Sequence, residues 1–150
     1  MRFWFAIVFA CAFAGGLSTA HSEVVTVCGA SKGYSFFFPG HLVPNDQSGW
    51  HEDQVSPGKI ILTVEGDNID VIFSDAQGTK SAHSQGGIVK FMPGSADGFF
   101  GIMVFYSAGA MEHYIFQIDK TGKGVVAWGT SRYGGVIQKS TLFTAACDAQ

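Results

Sequence analysis

The stretch "FFGIMVFYSAGAMEHYIFQID", residues 99–119, decides the fold class. Its two apolar runs are separated by the short turn sequence SAGA, which contains a glycine. Such runs of six to ten residues rich in aromatic and β-branched side chains are typical of β-strands. A connection this short forces the two strands to be antiparallel, because a parallel crossover needs a dozen or more residues.

The same pattern extends through most of the chain. Runs of this kind begin at Val24, Gly33, Lys59, Ile69, Gly86, Phe99, Met111, Gly124 and Val136. Turn residues separate most of them, as in EGDN, DAQGT, PGSADG and DKTGKG. We therefore predict an all-β single domain, an antiparallel meander of about eight or nine strands. It would form a closed up-and-down barrel or a barrel-like sandwich.

The N-terminal segment, residues 1–20, has the pattern of a cleaved secretory signal peptide. One cation, Arg2, precedes an apolar run from Phe3 to about Ala14, and small residues follow it. We expect cleavage after Ala20, or alternatively after Ser22, which leaves residues 21–150 as the mature domain. The apolar run is too short for a membrane-spanning helix, so we predict no anchor after cleavage. A lipid anchor on Cys11 is the alternative.

The charge and the cysteine content indicate which classes of partner and which cellular compartment to expect. Loss of Arg2 leaves eight Lys and Arg against twelve Asp and Glu, a net charge of −4 with no basic block. This composition argues against nucleic acid as a partner. Two cysteines remain, Cys28 and Cys147, and an exported chain most simply pairs them, which would make the first and last strands neighbours. A pair of free thiols or a redox couple is the alternative. The predicted location is periplasmic or secreted.

Aromatic residues are the main candidates for a binding site. In "GYSFFFPG", residues 33–40, the strand period of two sends Tyr34, Phe36 and Phe38 to one face and Phe37 to the other. We expect the first three to fill the core, with the alternative that they join Trp50 and Trp128 in lining a ligand pocket at a barrel mouth. Phe37 would pack under the loop that carries Trp50 or stand exposed.

The stretch from residue 41 to 58, "HLVPNDQSGWHEDQVSPG", is predicted to be one long loop, because it holds two prolines and three acidic residues. It includes His51, Glu52 and Asp53, which are metal-capable. Three consecutive residues in extended chain cannot all face one ion, and the tight histidine pair of zinc sites is missing. We predict no metal, no cofactor and no catalytic residue from these patterns.

Two functional hypotheses follow. The first is a small-ligand-binding barrel that holds a small apolar ligand. The alternative is a protein-interaction or inhibitor-like module. It would use the 41–58 loop and the strands that are apolar on both faces, such as residues 99–107, and its partner could be a second copy of the chain in a homo-oligomer. No nucleophile motif such as GxSxG or SxxK occurs, so the sequence favours a binding protein over an enzyme.

Overall fold

The computed structural model describes residues 22–40, 42–94 and 96–149. The predicted signal peptide, residues 1–20, lies outside the described residues. Within the described ranges, no helix combines the length and the apolar character that a membrane span requires.

The described chain forms eleven β-strands and two short 3₁₀ turns, which confirms the all-β prediction. The strands are β1 (Glu23–Cys28), β2 (Ser31–Phe37), β3 (Gly49–Val55), β4 (Lys59–Glu65), β5 (Asn68–Asp75), β6 (Gly78–Ser81), β7 (Ile88–Pro93), β8 (Phe99–Tyr106), β9 (Ala110–Ile118), β10 (Gly124–Arg132) and β11 (Lys139–Asp148). The 3₁₀ turns are Asn45–Gln47 and His83–Gln85. Nine of the strands correspond to the nine predicted runs, and β3 and β6 are additional.

One antiparallel sheet contains all the strands and curves into a half-barrel. The order is β6-β5-β4-β1-β11-β10-β9-β8-β7, so β4 to β6 and β7 to β11 are two meanders joined through β1. Strand β11 pairs with β10 along one side and has two partners along the other. Its C-terminal end pairs with β1, and its N-terminal part pairs with β2. Strand β3 pairs with β2. The first and last strands are therefore neighbours, as predicted.

The predicted disulfide is present and joins β1 to β11. Cys28 and Cys147 occupy directly opposed positions of the two strands and are 119 residues apart in sequence. Both are buried in the core. The disulfide therefore fixes the pairing of β1 with β11, which joins the two meanders.

The core lies on the concave side of the curved sheet. Its fully buried side chains come from strands on both arms of the half-barrel, among them Ile60 and Leu62 of β4 and Ile102 and Phe116 of β8 and β9. In β8 the alternate residues point inward as the pattern predicts, whereas Phe99 and Phe105 on the other face are exposed. The convex face of the sheet thus keeps apolar side chains that the concave core does not cover.

The prediction that residues 41–58 form one loop is wrong for their second half, which forms β3. Trp50 and the residues after it pair in register with β2, Trp50 lying opposite Phe36 and Asp53 opposite Gly33. Strand β3 pairs on one side only, and an edge strand tolerates polar and charged side chains because much of it faces water. Composition alone therefore gave the wrong assignment.

The prediction that Tyr34, Phe36 and Phe38 fill the core is also wrong. Tyr34 is 51% exposed and Phe38 is 45% exposed, whereas Ser31 and Ser35 point into the core and are buried. The cause is close packing against β11. A side-chain carbon on Gly33 would overlap with the backbone of the neighbouring strand at residues 142 and 143, and the small residues Ser31 and Ser35 flank it on the same face.

Candidate functional site

A cavity of about 380 Å³ lies on the concave face, near the end of the half-barrel opposite the disulfide. Strands from both arms line it: β5 and β6 on one side, and β8 to β11 with β3 on the other. Its volume falls in the range of small-molecule sites, about 300–1,000 Å³. The lining forms three zones, which are an aromatic wall, a carboxylate held by two tyrosines, and a rim of cations.

The aromatic wall consists of in-register neighbours on three strands. Tyr114 of β9 lies opposite Trp128 of β10, which in turn lies opposite Phe143 of β11. The Tyr114 and Trp128 rings are stacked with centroids 6.0 Å apart, and the Trp128 and Phe143 centroids are 5.0 Å apart. Phe73 of β5 approaches Trp128 from the opposite arm at 5.7 Å. Trp128 is therefore held on both sides.

A hydrogen bond fixes the orientation of the Trp128 indole. Its Nε1–H donates to Oγ of Ser31 over 3.0 Å, and both groups are buried. A buried indole N–H needs such a partner, and here the small inward-facing residue of β2 supplies it. The wall is thus rigid before any ligand arrives.

Glu112 forms the second zone and accepts hydrogen bonds from two phenols. The hydroxyl of Tyr114 donates to Glu112 Oε2 over 2.8 Å, and that of Tyr106 donates to the same oxygen over 3.0 Å. Burial, and secondarily the charge of Glu112, raise the pKa of both tyrosines well above the usual value. Both phenols therefore remain protonated donors at neutral pH, and the carboxylate is held in place between them.

The third zone is cationic. Arg132 at the end of β10 and Lys139 at the start of β11 occupy directly opposed positions of the β10–β11 ladder and both line the cavity. Lys80 of β6 lines it from the other arm. The Lys139 ammonium lies 5.5 Å from the centroid of the Phe37 ring, in cation–π contact. Phe37 is thus placed at this rim and also packs against the His51 ring.

Of the five aromatic residues predicted to bind a ligand, the structure places only Trp128 in this cavity. The other four, Tyr34, Phe36, Phe38 and Trp50, lie on the convex side of β2 and β3 or just beyond them. The Phe36 ring is 4.9 Å from that of Phe38 and 5.3 Å from that of Trp50, and Trp50 is 63% exposed. We call these four residues the outer cluster, and a ligand role for it remains a prediction.

The consecutive residues His51, Glu52 and Asp53 do not converge. They alternate along β3, so Glu52 lies on the face of Tyr34 while Asp53 reaches the concave side. Asp53 accepts a hydrogen bond from the Ser35 hydroxyl over 2.6 Å, and His51 Nε2 lies 3.1 Å from the Gln47 carbonyl oxygen. Across the described ranges, no group of three His, Cys, Asp or Glu side chains has the arrangement of a metal site.

Sequence reasoning missed Glu112, Arg132 and Lys139. The signal that would have found Glu112 and Arg132 is the strand period of two, counted from Tyr114 and Trp128. Arg132 is four positions from Trp128 and Glu112 is two positions from Tyr114, so each pair shares a face.

Comparison with known proteins gives no match: no family model fits the chain, and no curated protein or solved structure is significantly similar to it. Evidence for a function therefore comes from the molecule's own sites.

Proposed function

We propose that this protein is an exported, non-enzymatic binding protein that holds a small molecule in the concave cavity. The observation that carries the proposal is the cavity itself, with its volume of about 380 Å³ and its preformed wall of Tyr114, Trp128 and Phe143. Ligand sites combine an apolar lining with a few fixed polar groups, and this cavity has both. Export is supported by the disulfide, which persists in oxidising compartments.

Binding is favoured over catalysis because the hydroxyl and carboxylate groups in and behind the cavity wall already have structural partners. The Ser31 hydroxyl holds Trp128, that of Ser35 holds Asp53, and Glu112 is bonded to two phenols. A serine nucleophile must also be accessible to a substrate, and Ser31 and Ser35 are buried behind these hydrogen bonds. These bonds instead make the cavity rigid, which lowers the cost of binding.

The two described tryptophans provide the test, because Trp128 lies in the cavity wall and Trp50 in the outer cluster. The full chain is expressed with ¹⁵N label, and the indole N–H signals are assigned with the variants Trp4→Phe and Trp50→Phe. The neutral aromatic probe N-phenyl-1-naphthylamine is then titrated. We expect the Trp128 signal to shift with saturation while the Trp50 signal stays in place. No shift of the Trp128 signal with this probe or with its anionic analogue 1-anilinonaphthalene-8-sulfonate would contradict the proposal.

A second candidate is a protein-interaction module that uses the outer cluster. The observation in its favour is that Tyr34, Phe38 and Trp50, together with Leu142 of the adjacent β11, are each more than 40% exposed. Contiguous exposed apolar patches mark interaction sites. Shift of the Trp50 signal alone, with sedimentation showing an assembly larger than one chain, would favour this function over the first.

A further inference from the structure

We infer that the ligand of the concave cavity is a compact aromatic anion, whose negative group binds between Arg132 and Lys139 and whose rings lie on the Trp128 wall. This inference rests on the proposed function and specifies the chemical class of the ligand. Four observations carry it.

The first observation is the placement of the two cations. Arg132 and Lys139 face each other directly across the β10–β11 ladder and point to the same side of the sheet. Like charges opposed in this way destabilise a strand pair. A bound anion between them would convert the repulsion into two charge-assisted hydrogen bonds, and the arginine fork is well suited to a planar carboxylate or a sulfonate.

The second observation is that these cations have no carboxylate partner among the residues that the structure describes. The one ion pair found there is His83 with Asp70, whose Nδ1 and Oδ1 atoms are 3.3 Å apart. Lys139 has an aromatic ring as its neighbour instead. The positive end of the cavity is thus left for a group from outside the described chain.

The third observation is that each carboxylate of the cavity accepts a hydrogen bond from the described chain. Glu112 accepts from two phenols, and Asp53 accepts from the Ser35 hydroxyl and the Gln54 backbone N–H. Asp75 accepts from the Gln77 backbone N–H over 2.7 Å. These carboxylates are thus held by protein donors, whereas Arg132 and Lys139 have no carboxylate partner among the described residues and can bind an anionic group of the ligand.

The fourth observation is the spacing along the strands. Going along β10 and β11 from the Trp128–Phe143 pair, Thr130 and Thr141 come next, and the cationic pair follows. At a rise of about 3.4 Å per residue, four residues separate wall and cations by about 13 Å. This distance and the small volume fit a molecule of about two rings with one anionic group, and they exclude a long-chain lipid.

The test uses two probes with the same ring system. 1-Anilinonaphthalene-8-sulfonate carries a sulfonate, and N-phenyl-1-naphthylamine lacks it. Both are titrated into the full chain, with the shift of the Trp128 indole signal as readout. We expect the sulfonate to bind at least about tenfold more tightly, because charge-assisted hydrogen bonds are stronger than neutral ones. Its affinity should fall with added salt.

Variants of the two cationic residues test whether they cause the difference in affinity between the two probes. Arg132→Gln and Lys139→Gln should each weaken sulfonate binding about tenfold and leave the affinity for the neutral probe unchanged. Lys90→Gln is the matched control, because Lys90 is exposed on β7 and outside the cavity lining, and this change should affect neither probe. Thermal melting of each variant verifies folding, and the comparison of the two probes on the unaltered chain needs no variant.

Each result is decisive. Equal affinity for both probes at Trp128, or an equal loss in Lys90→Gln, would overturn the anion inference and leave the cavity as a site for neutral ligands. If neither probe shifted the Trp128 signal, the proposed function would fail and the inference with it.

Discussion

The molecule has two groups of aromatic residues that differ in what surrounds them. The inner row on the concave face runs through Phe100, Phe116, Tyr114, Trp128 and Phe143, whose successive ring centroids are 5.0–6.4 Å apart. The outer cluster has rings at similar distances, yet Trp50 is 63% exposed and Trp128 only 5%. Ring-to-ring contact alone therefore does not make a core, because both faces of those rings must be covered by other strands.

The largest expected effect comes from removing one tryptophan from each group. Trp128→Ala should lower the free energy of unfolding by about 3–5 kcal/mol, because it leaves a cavity among Tyr114, Phe143 and Phe73. Trp50→Ala, the matched control, should change it by no more than about 0.5 kcal/mol. Chemical denaturation measures both. Similar losses in the two variants would show that the outer cluster is also part of the core.

A smaller effect is expected from the disulfide, which anchors β11, the strand that carries Phe143. Replacing Cys28 and Cys147 together by serine should lower stability by about 2–4 kcal/mol, because a closed loop of 119 residues restricts the unfolded chain. The same denaturation experiment on the unaltered chain with a reducing agent is the control and should give the same value. A variant as stable as the oxidised protein would mean that strand pairing alone holds the ends together.

The smallest effect concerns pH and involves Tyr114 of the inner row, which donates a hydrogen bond to Glu112. Burial and the charge of Glu112 raise the pKa of Tyr114, so the folded protein keeps this proton when the unfolded chain, with a tyrosine pKa of about 10, has lost it. The folded state then binds more protons, and the free energy of unfolding must fall as the pH rises above about 10. Urea denaturation between pH 8 and pH 11 should show this decline.

The variant Tyr114→Phe is the comparison for that experiment. It should show a weaker decline above pH 10, because the phenol that links protonation to folding is gone. An equally steep decline in the variant would mean that ionisation of Tyr114 contributes nothing to alkaline unfolding.

Much of the architecture could be predicted from the sequence, because strand period and turn chemistry are local properties. Nine of the eleven strands and the Cys28–Cys147 bridge follow from short apolar runs, glycine-bearing turns and the count of cysteines. Strand β3 could not be predicted in this way. It forms by pairing with β2, and this pairing is not visible in the local sequence pattern.

The orientation of β2 illustrates a second limit. A period of two determines that Tyr34 and Phe36 share a face, but in a strand with apolar residues on both faces it does not determine which face is inward. The useful signal was the opposite set, Ser31, Gly33 and Ser35, whose small size indicates close packing against a neighbour. Apart from Trp128, the residues that line the cavity were missed for a related reason, because they come from strands far apart in sequence.

The position of β11 also has a consequence for the order of folding. This strand comes after the other ten described strands in sequence, and β10, β1 and β2 all pair with it. Until residues 139–148 emerge, β2 and β3 have no partner in the rest of the sheet, and β1 pairs only with β4. Contacts of such large sequence separation slow folding, since the chain must close long loops before they form. The described strands can therefore complete the half-barrel only after β11 is available for pairing.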